Sequence, residues 1–188
     1  QRCIRSVDSQ ETDADVEHIV VDSNSTDETV DVLKAHANQI DVLIREDDDG
    51  MYDAINNGIK EATGDVIGIL NADDRYGDEQ VLADVVSAME DPAVDGVFGD
   101  LLYVDDTDEV VRYWKSGDYH RYKFYLGWMP AHPTFYVRQD LYEEFGGYDT
   151  SFPISSDYEL MLRFLLNHDV RMAYIDRVMV RMTLGGMS

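Results

Sequence analysis

Residues 65–76 read DVIGILNADDRY, and this stretch decides the expected fold. Residues 66–70 form a short, continuous apolar run bounded by polar residues, which is typical of a strand buried on both faces. Asn71, Asp73 and Asp74 follow directly, so we expect them at the carboxyl end of a central strand. In open α/β sheets that edge is where ligands bind.

The acidic pair in this stretch, Asp73 and Asp74, has two interpretations. Neighbouring carboxylates repel each other unless a cation neutralises them. A hard divalent ion such as Mg²⁺ or Mn²⁺, which prefers oxygen ligands, explains the pair economically. The alternative is a solvated acidic turn that caps the next helix, and these residues alone leave both interpretations open.

The first half of the chain alternates between strand and helix patterns. Capping boxes are predicted at Ser25 with Glu28 and at Ser156 with Glu159. Gly50 is predicted to open a helix that Gly64 ends as a C-cap. The alternation favours an α/β fold with a mainly parallel sheet flanked by helices. The predicted segments are a helical fragment at 1–7, strands at 16–22, 41–45 and 65–70, and helices near 28–37, at 50–62 and at 81–89.

The pattern changes after residue 96. Residues 96–104 and 109–115 predict a hairpin around an acidic turn, which adds a smaller antiparallel part to the fold. The other predicted segments are strands at 134–138, 171–176 and 178–184, and helices at 139–145 and 156–168.

Composition limits the partners of the protein. The 188 residues carry a formal net charge of −24, which repels nucleic acid and anionic membranes. Acids are spread along the whole chain and lysine is scarce, a pattern that predicts a halophilic protein adapted to high salt. Cys3 is the only cysteine, so an intrachain disulfide and a cysteine-based zinc site are excluded. We therefore expect a cytoplasmic protein, and no apolar stretch approaches the length of a membrane span.

Four ordered motifs resemble one family. VEHIVVDSNSTDET, DDDGMYDAINNGIKEATGDVIGILNADDRY, HPTFYVRQDLYEEFGGYD and ISSDYELMLR are similar to the inverting family 2 glycosyltransferases with a GT-A fold. The likeness is closest to the branch that builds surface glycans and polysaccharides. It runs from about Ser6 to Gly186, nearly the whole chain.

The resemblance implies roles for three acids. Asp22 matches the acid that hydrogen-bonds the nucleotide base, although it could instead only cap the following turn. Residues 71–73 occupy the place of the DXD motif, so Asp73 would bind the metal ion, with Asp74 or Asn71 near the ribose or behind the metal. Asp157 matches the general base, although a carboxylate is favourable in the first turn of any helix.

Further candidates are less specific. Asp53 and Asn56 belong to a helix that lines the donor pocket in the family, and both could equally be packing or capping residues. His132 matches a histidine that faces the acceptor or the metal, and its alternative is a structural histidine. Asp49 stands where the branch often carries lysine. The family's first strand, with its nucleotide-binding loop, is expected before Gln1.

The resemblance implies a single domain, 1–188, with a nucleotide-sugar-binding half at 1–95 and an acceptor-binding half at 96–188. The expected donor is a UDP- or GDP-sugar, the cofactor Mn²⁺ or Mg²⁺, and the acceptor a glycan or a lipid-linked sugar, with peripheral association at the inner face of the membrane as a further option. Two alternatives stay open: an inactive glycan- or nucleotide-binding partner subunit, and a sugar nucleotidyltransferase.

Overall fold

The structure is a computed structural model that describes residues 1–185, so Gly186 and the last two residues of the predicted domain lie outside the described part. Six α-helices and eight strands are described. The helices are α1 Arg2–Asp8, α2 Thr29–Ala35, α3 Met51–Glu61, α4 Val81–Met89, α5 Gln139–Phe145 and α6 Ser156–Leu162. The strands are β1 Ile19–Asp22, β2 Val42–Arg45, β3 Val66–Gly68, β4 Arg75–Tyr76, β5 Gly96–Val104, β6 Val110–Trp114, β7 Tyr136–Arg138 and β8 Met172–Thr183.

The strands form two sheets. β1 and β2 pair in parallel, and six further strands form a mixed sheet in the order β3-β7-β5-β8-β4, with β6 paired to β5. The expected α/β class with flanking helices and an antiparallel part is confirmed. In detail, only β1–β2 and β5–β8 are parallel pairs, whereas the other four described pairings are antiparallel, so the sheet is mixed rather than mainly parallel. The reason is that β7 and β8, which return from the second half of the chain, supply the partners of β3, β4 and β5.

The strand expected at 65–70 is shorter and less central than predicted. β3 covers only Val66–Gly68, and among the described strands it pairs with β7 alone. Ile67 is its only fully buried residue. At Gly68 an added Cβ would lie 2.0 Å from the ring of Tyr136, because that ring packs directly on the glycine backbone. The close approach explains why the apolar run contains a glycine.

Helix ends differ from the predicted capping signals. Gly50 precedes α3 with a φ of +119°, as expected of a glycine at that position, but α3 ends at Glu61 and not at Gly64. The N-caps of α2 and α6 are Glu28 and Ser155, and neither makes a side-chain capping hydrogen bond. Both predicted capping boxes are therefore wrong. The hydroxyl of Ser156 is buried and makes no hydrogen bond within the described residues.

The second half keeps most of its predicted elements. β5 and β6 form the predicted antiparallel hairpin, and α5 spans the predicted residues. α6 continues into a π-helical segment, Arg163–Asn167. The two strands predicted at 171–176 and 178–184 are one long strand, β8, which runs parallel to β5 with register shifts beside Gly99 and Asp100. A bulge therefore replaces the predicted break.

Two apolar clusters pack the helices against the strands. In one, α4 packs Val81 and Val85 against Val97 of β5 and Met179 of β8. In the other, residues of α3, α5 and α6 join Phe98 of β5. Because α3 and α6 share this second cluster, residues 52 and 157 are brought to one place in the fold. The division of the domain at residue 95 stays a prediction.

Candidate active site

Asp22 ends β1 and is held by two partners. It is 6% exposed, and its two oxygens accept the Ser25 backbone N–H at 3.2 and 3.3 Å. Arg45, at the end of the neighbouring β2, donates Nε to Oδ2 at 2.8 Å. Burial by itself would raise the pKa of Asp22, but the hydrogen bonds from Ser25 and Arg45 outweigh it and lower that pKa. Asp22 therefore stays ionised, and it caps the following turn as the structural alternative predicted.

An acidic loop lies beside that turn. Residues 46–49 are four consecutive acids, and Asp47 accepts a hydrogen bond of 2.9 Å from Asn24 Nδ2. Asp49, the last of these acids, donates its backbone N–H to Asp53. An anionic ligand bound next to Asp22 would face these negative charges, so its binding would require a neutralising cation.

The two carboxylates after β3 point in different directions. Asp73 is exposed, whereas Asp74 is 1% exposed and accepts hydrogen bonds from Asn71 Nδ2 at 3.2 Å and from the Thr183 N–H at 3.3 Å. Burial and the neighbouring charge of Asp73 raise the pKa of Asp74 to about 7. An ion held by the outward carboxylate of Asp73 would relieve this repulsion, so the pair fits a divalent cation. Asn71 and Asp74 would then support Asp73 from behind.

The three predicted metal ligands do not form one site. Within residues 1–185, no three His, Cys, Asp or Glu side chains converge in a way that could hold a metal ion. Asp74 is turned toward the end of β8, and His132 is engaged elsewhere. The set Asp73, Asp74 and His132 stays a prediction: in this arrangement an ion at Asp73 would complete its coordination with ligand or water oxygens.

Asp157 lies in the first turn of α6, partly buried. The hydroxyl of Tyr52, from the first turn of α3, donates a hydrogen bond of 3.1 Å to its Oδ1. Ser155, the residue before α6, has a φ of +70°, which is strained for a non-glycine residue and turns the chain sharply into the helix. The turn places Asp157 at the start of α6, where its carboxylate could accept a proton from a ligand hydroxyl.

His132 belongs to the Asp157 side of the site. Its Nε2 lies 2.7 Å from the hydroxyl of Tyr148, and the two rings meet edge to face at 5.7 Å. Burial lowers the pKa of His132, and the nearby charge of Asp157 only partly opposes this effect. The imidazole is therefore neutral at pH 7, and its Nε2 is paired with the Tyr148 hydroxyl. A role of His132 toward the acceptor or the metal stays a prediction.

The two candidates on α3 have local roles. Asp53 accepts the Asp49 backbone N–H at 3.1 Å, close to the start of the helix. The amide of Asn56 is used on both sides, because it donates to Tyr148 O and accepts from Tyr148 N, each at 2.8 Å. In this geometry the Asn56 side chain fixes the chain before α6.

Tyr52 and Tyr148 are the residues that the sequence did not single out. Their rings stack at 5.5 Å with an angle of 12° between planes. Tyr52 and Asn56 are four residues apart, so they share a helix face, and that spacing was the available signal. It could not reveal that the face meets residues 148 and 157.

No helix among the described residues has the length and apolar character needed to cross a membrane.

Comparison with known proteins gives a consistent result. The model of the family described as "Glycosyl transferase family 2" matches residues 1–167. An uncharacterized glycosyltransferase of Mycobacterium tuberculosis H37Rv is 32% identical over 168 residues, which are 88% of this chain and 63% of that protein. A "PGL/p-HBAD biosynthesis glycosyltransferase" of the same strain is 28% identical over 191 residues, 99% of this chain and 72% of the relative. The chain thus spans less than two thirds of the first of these relatives.

Solved structures share the fold. TarS 1–349 of S. aureus, in complex with UDP, superposes with a TM-score of 0.74 at 18% identity, covering 97% of this chain and 56% of that one. The mannosyltransferase PcManGT from Pyrobaculum calidifontis, in complex with GDP-Man and Mn²⁺, gives a TM-score of 0.70 at 20% identity, covering 98% and 53%. At these identities the likeness concerns the fold.

Proposed function

The chain belongs to glycosyl transferase family 2, and from that membership we propose that it transfers one sugar from a nucleotide-diphosphate sugar to a glycan or lipid-linked acceptor, with inversion at the anomeric carbon. Residues 1–95 bind the donor in this proposal, and residues from 96 onward bind the acceptor. The observation that carries it is the acid pair after β3, in which Asp73 faces solvent beside the buried Asp74.

Donor binding involves Asp22 and Asp73. Asp22 is ionised and held in place, so one of its oxygens can accept an N–H of the nucleotide base. Asp73 would hold Mg²⁺ or Mn²⁺, which would supply positive charge to stabilise the leaving diphosphate. The two solved structures support this choice of ligands, since one contains UDP and the other contains GDP-Man and Mn²⁺.

Transfer needs a base for the acceptor hydroxyl, and Asp157 takes that role. The acceptor oxygen forms its bond to the anomeric carbon while the bond from that carbon to the diphosphate oxygen breaks. The proton of the hydroxyl passes to the Asp157 carboxylate. One displacement of this kind inverts the configuration of the anomeric carbon.

The test begins with calorimetric titration of UDP and of GDP into the full-length protein, with and without Mn²⁺. We expect one nucleotide to bind in a Mn²⁺-dependent manner and Asp73→Ala to lose that dependence. Asp31→Ala is the matched control, because Asp31 is an acid on α2 whose side chain is 86% exposed. Binding that is equally strong without Mn²⁺, or in Asp73→Ala, would remove Asp73 from the metal site.

The second step is turnover. The nucleotide that binds defines a set of sugar donors for assay with glycan and glycolipid acceptors, and Asp157→Asn is expected to abolish transfer while donor affinity is kept. A folded protein that binds neither nucleotide would instead support the non-catalytic alternative.

A further inference from the structure

The hydroxyl of Tyr52 is the only phenol that meets the Asp157 carboxylate among the described residues, with a hydrogen bond of 3.1 Å to Oδ1. Tyr52 is 7% exposed, and it comes from a different helix than Asp157. A buried tyrosine normally finds a partner for its hydroxyl, so the bond alone has a structural explanation. The contacts that hold the Tyr52 ring give a further reason to assign the residue a role.

The ring of Tyr52 is held in place through Tyr148. Tyr52 stacks on Tyr148 at 5.5 Å. The backbone of Tyr148 is bound on both sides by the Asn56 amide, and its hydroxyl is bound to His132 Nε2 at 2.7 Å. Because the support is itself held at its backbone and at its tip, the Tyr52 hydroxyl has little freedom to leave Asp157.

The proton of this hydrogen bond stays on Tyr52. Burial and the charge of Asp157 raise the pKa of the Tyr52 phenol. The other titratable groups that face Asp157 are Tyr148, whose pKa burial raises well above its usual value, and His132, whose pKa burial lowers. All three are neutral at pH 7, so Tyr52 acts as a donor and does not compete with Asp157 as a base.

We propose that Tyr52 is a positioning residue for Asp157: it holds Oδ1, fixes the plane of the carboxylate, and leaves the second oxygen to take the proton of the acceptor hydroxyl. The inference rests on the proposed role of Asp157 as the base. A carboxylate that can rotate spends less time in the orientation that accepts this proton, and a misplaced catalytic group costs up to about 100-fold in rate.

The test is Tyr52→Phe, which keeps the ring that stacks on Tyr148 and removes only the hydroxyl. We expect kcat to fall about tenfold or more, while KM for the donor stays close to that of the wild type.

The matched control is Tyr119→Phe. The Tyr119 hydroxyl donates to the Leu165 carbonyl at 3.1 Å, so this variant also loses one phenol hydrogen bond. It should lower the melting temperature about as much as Tyr52→Phe, with kcat unchanged. A purely structural role of Tyr52 predicts that the two variants behave alike.

A second substitution keeps the test decisive if Tyr52→Phe does not fold. Tyr52→3-fluorotyrosine retains the hydroxyl that donates to Asp157, so kcat should stay within about twofold of the wild type. A kcat that falls about tenfold although the hydroxyl is retained would overturn the proposal.

Asp157→Asn separates this inference from the function on which it rests. An inactive Asp157→Asn together with a fully active Tyr52→Phe refutes the positioning role alone. An active Asp157→Asn refutes the assignment of the base, and the role of Tyr52 with it.

Discussion

The side-chain amide of Asn56 makes two hydrogen bonds of 2.8 Å to the backbone of Tyr148, one as donor and one as acceptor. Gly147 precedes this contact, and a Cβ added to it would lie 2.4 Å from Asn56 Oδ1. One amide thus ties α3 to the segment that leads to α6, and with it the helix of Tyr52 to the helix of Asp157.

Asn56→Ala should therefore act mainly on stability. Both backbone groups of Tyr148 lose their partner, and an unsatisfied group of this kind costs about 1–3 kcal/mol. We expect the free energy of unfolding, measured with urea, to fall by about 2 kcal/mol or more. Asn57→Ala is the control, since Asn57 makes only an exposed contact with Lys60 and should change stability by less than about 0.5 kcal/mol. Equal effects of the two variants would contradict this account.

Gly68 and Gly64 give a second pair of variants. In Gly68→Ala the new methyl group meets the Tyr136 ring, and overpacking of this kind costs about 1–3 kcal/mol. In Gly64→Ala the nearest atom to the new Cβ lies 3.9 Å away, which is ordinary contact, so stability should stay the same or rise slightly. Thermal melts of both variants check the prediction. A large loss in Gly64→Ala would instead restore the predicted C-cap at that residue.

Asp74 should make the metal-free protein less stable as the pH rises. Its folded pKa of about 7 lies above the ordinary value of 3.8, so between these values the folded state binds more protons than the unfolded state. Stability then falls as the pH rises from about 4 to about 7, by up to about 4 kcal/mol. Asp74→Asn removes this loss. In EDTA its free energy of unfolding should therefore exceed that of the wild type only slightly at pH 4 and most near pH 8.

The control for this series is Asp73→Asn, which removes the same formal charge from the exposed neighbour. Asp73→Asn should gain less stability than Asp74→Asn, because the Asp73 carboxylate is solvated and only its repulsion with Asp74 is relieved. Urea unfolding at several pH values measures both variants. Parallel curves for the wild type and Asp74→Asn would show that Asp74 is not the group responsible.

The net charge of −24 predicts a dependence on salt. Repulsion between solvent-exposed acids is screened within about 3 Å at 1 M salt and about 10 Å at 0.1 M. The melting temperature should therefore rise between 0.1 and 2 M KCl. A double variant, Glu143→Lys with Glu144→Lys, replaces two exposed acids of α5 and should flatten that rise. A melting temperature that is independent of KCl would refute the predicted salt adaptation.

The acids of the site show how much of it could be predicted from the sequence. Asp22, Asp73 and Asp157 could be named because each lies within a local motif. Their surroundings could not be predicted, since Arg45, Thr183 and Tyr52 come from other parts of the chain. For the same reason the sequence alone does not point to Tyr52, although it lies on α3 with Asp53 and Asn56.

Local sequence was enough to predict the α/β alternation, the hairpin of β5 and β6, the extent of α5 and the order of the acidic motifs. Each of these features depends on neighbours within a few residues. The tertiary structure alone decided that the sheet is mixed, that Asp74 is buried while Asp73 is exposed, and that Tyr52 meets Asp157 across 105 positions. Periodicity reports which face of an element is apolar, but the free energy that selects its partner comes from packing between distant segments.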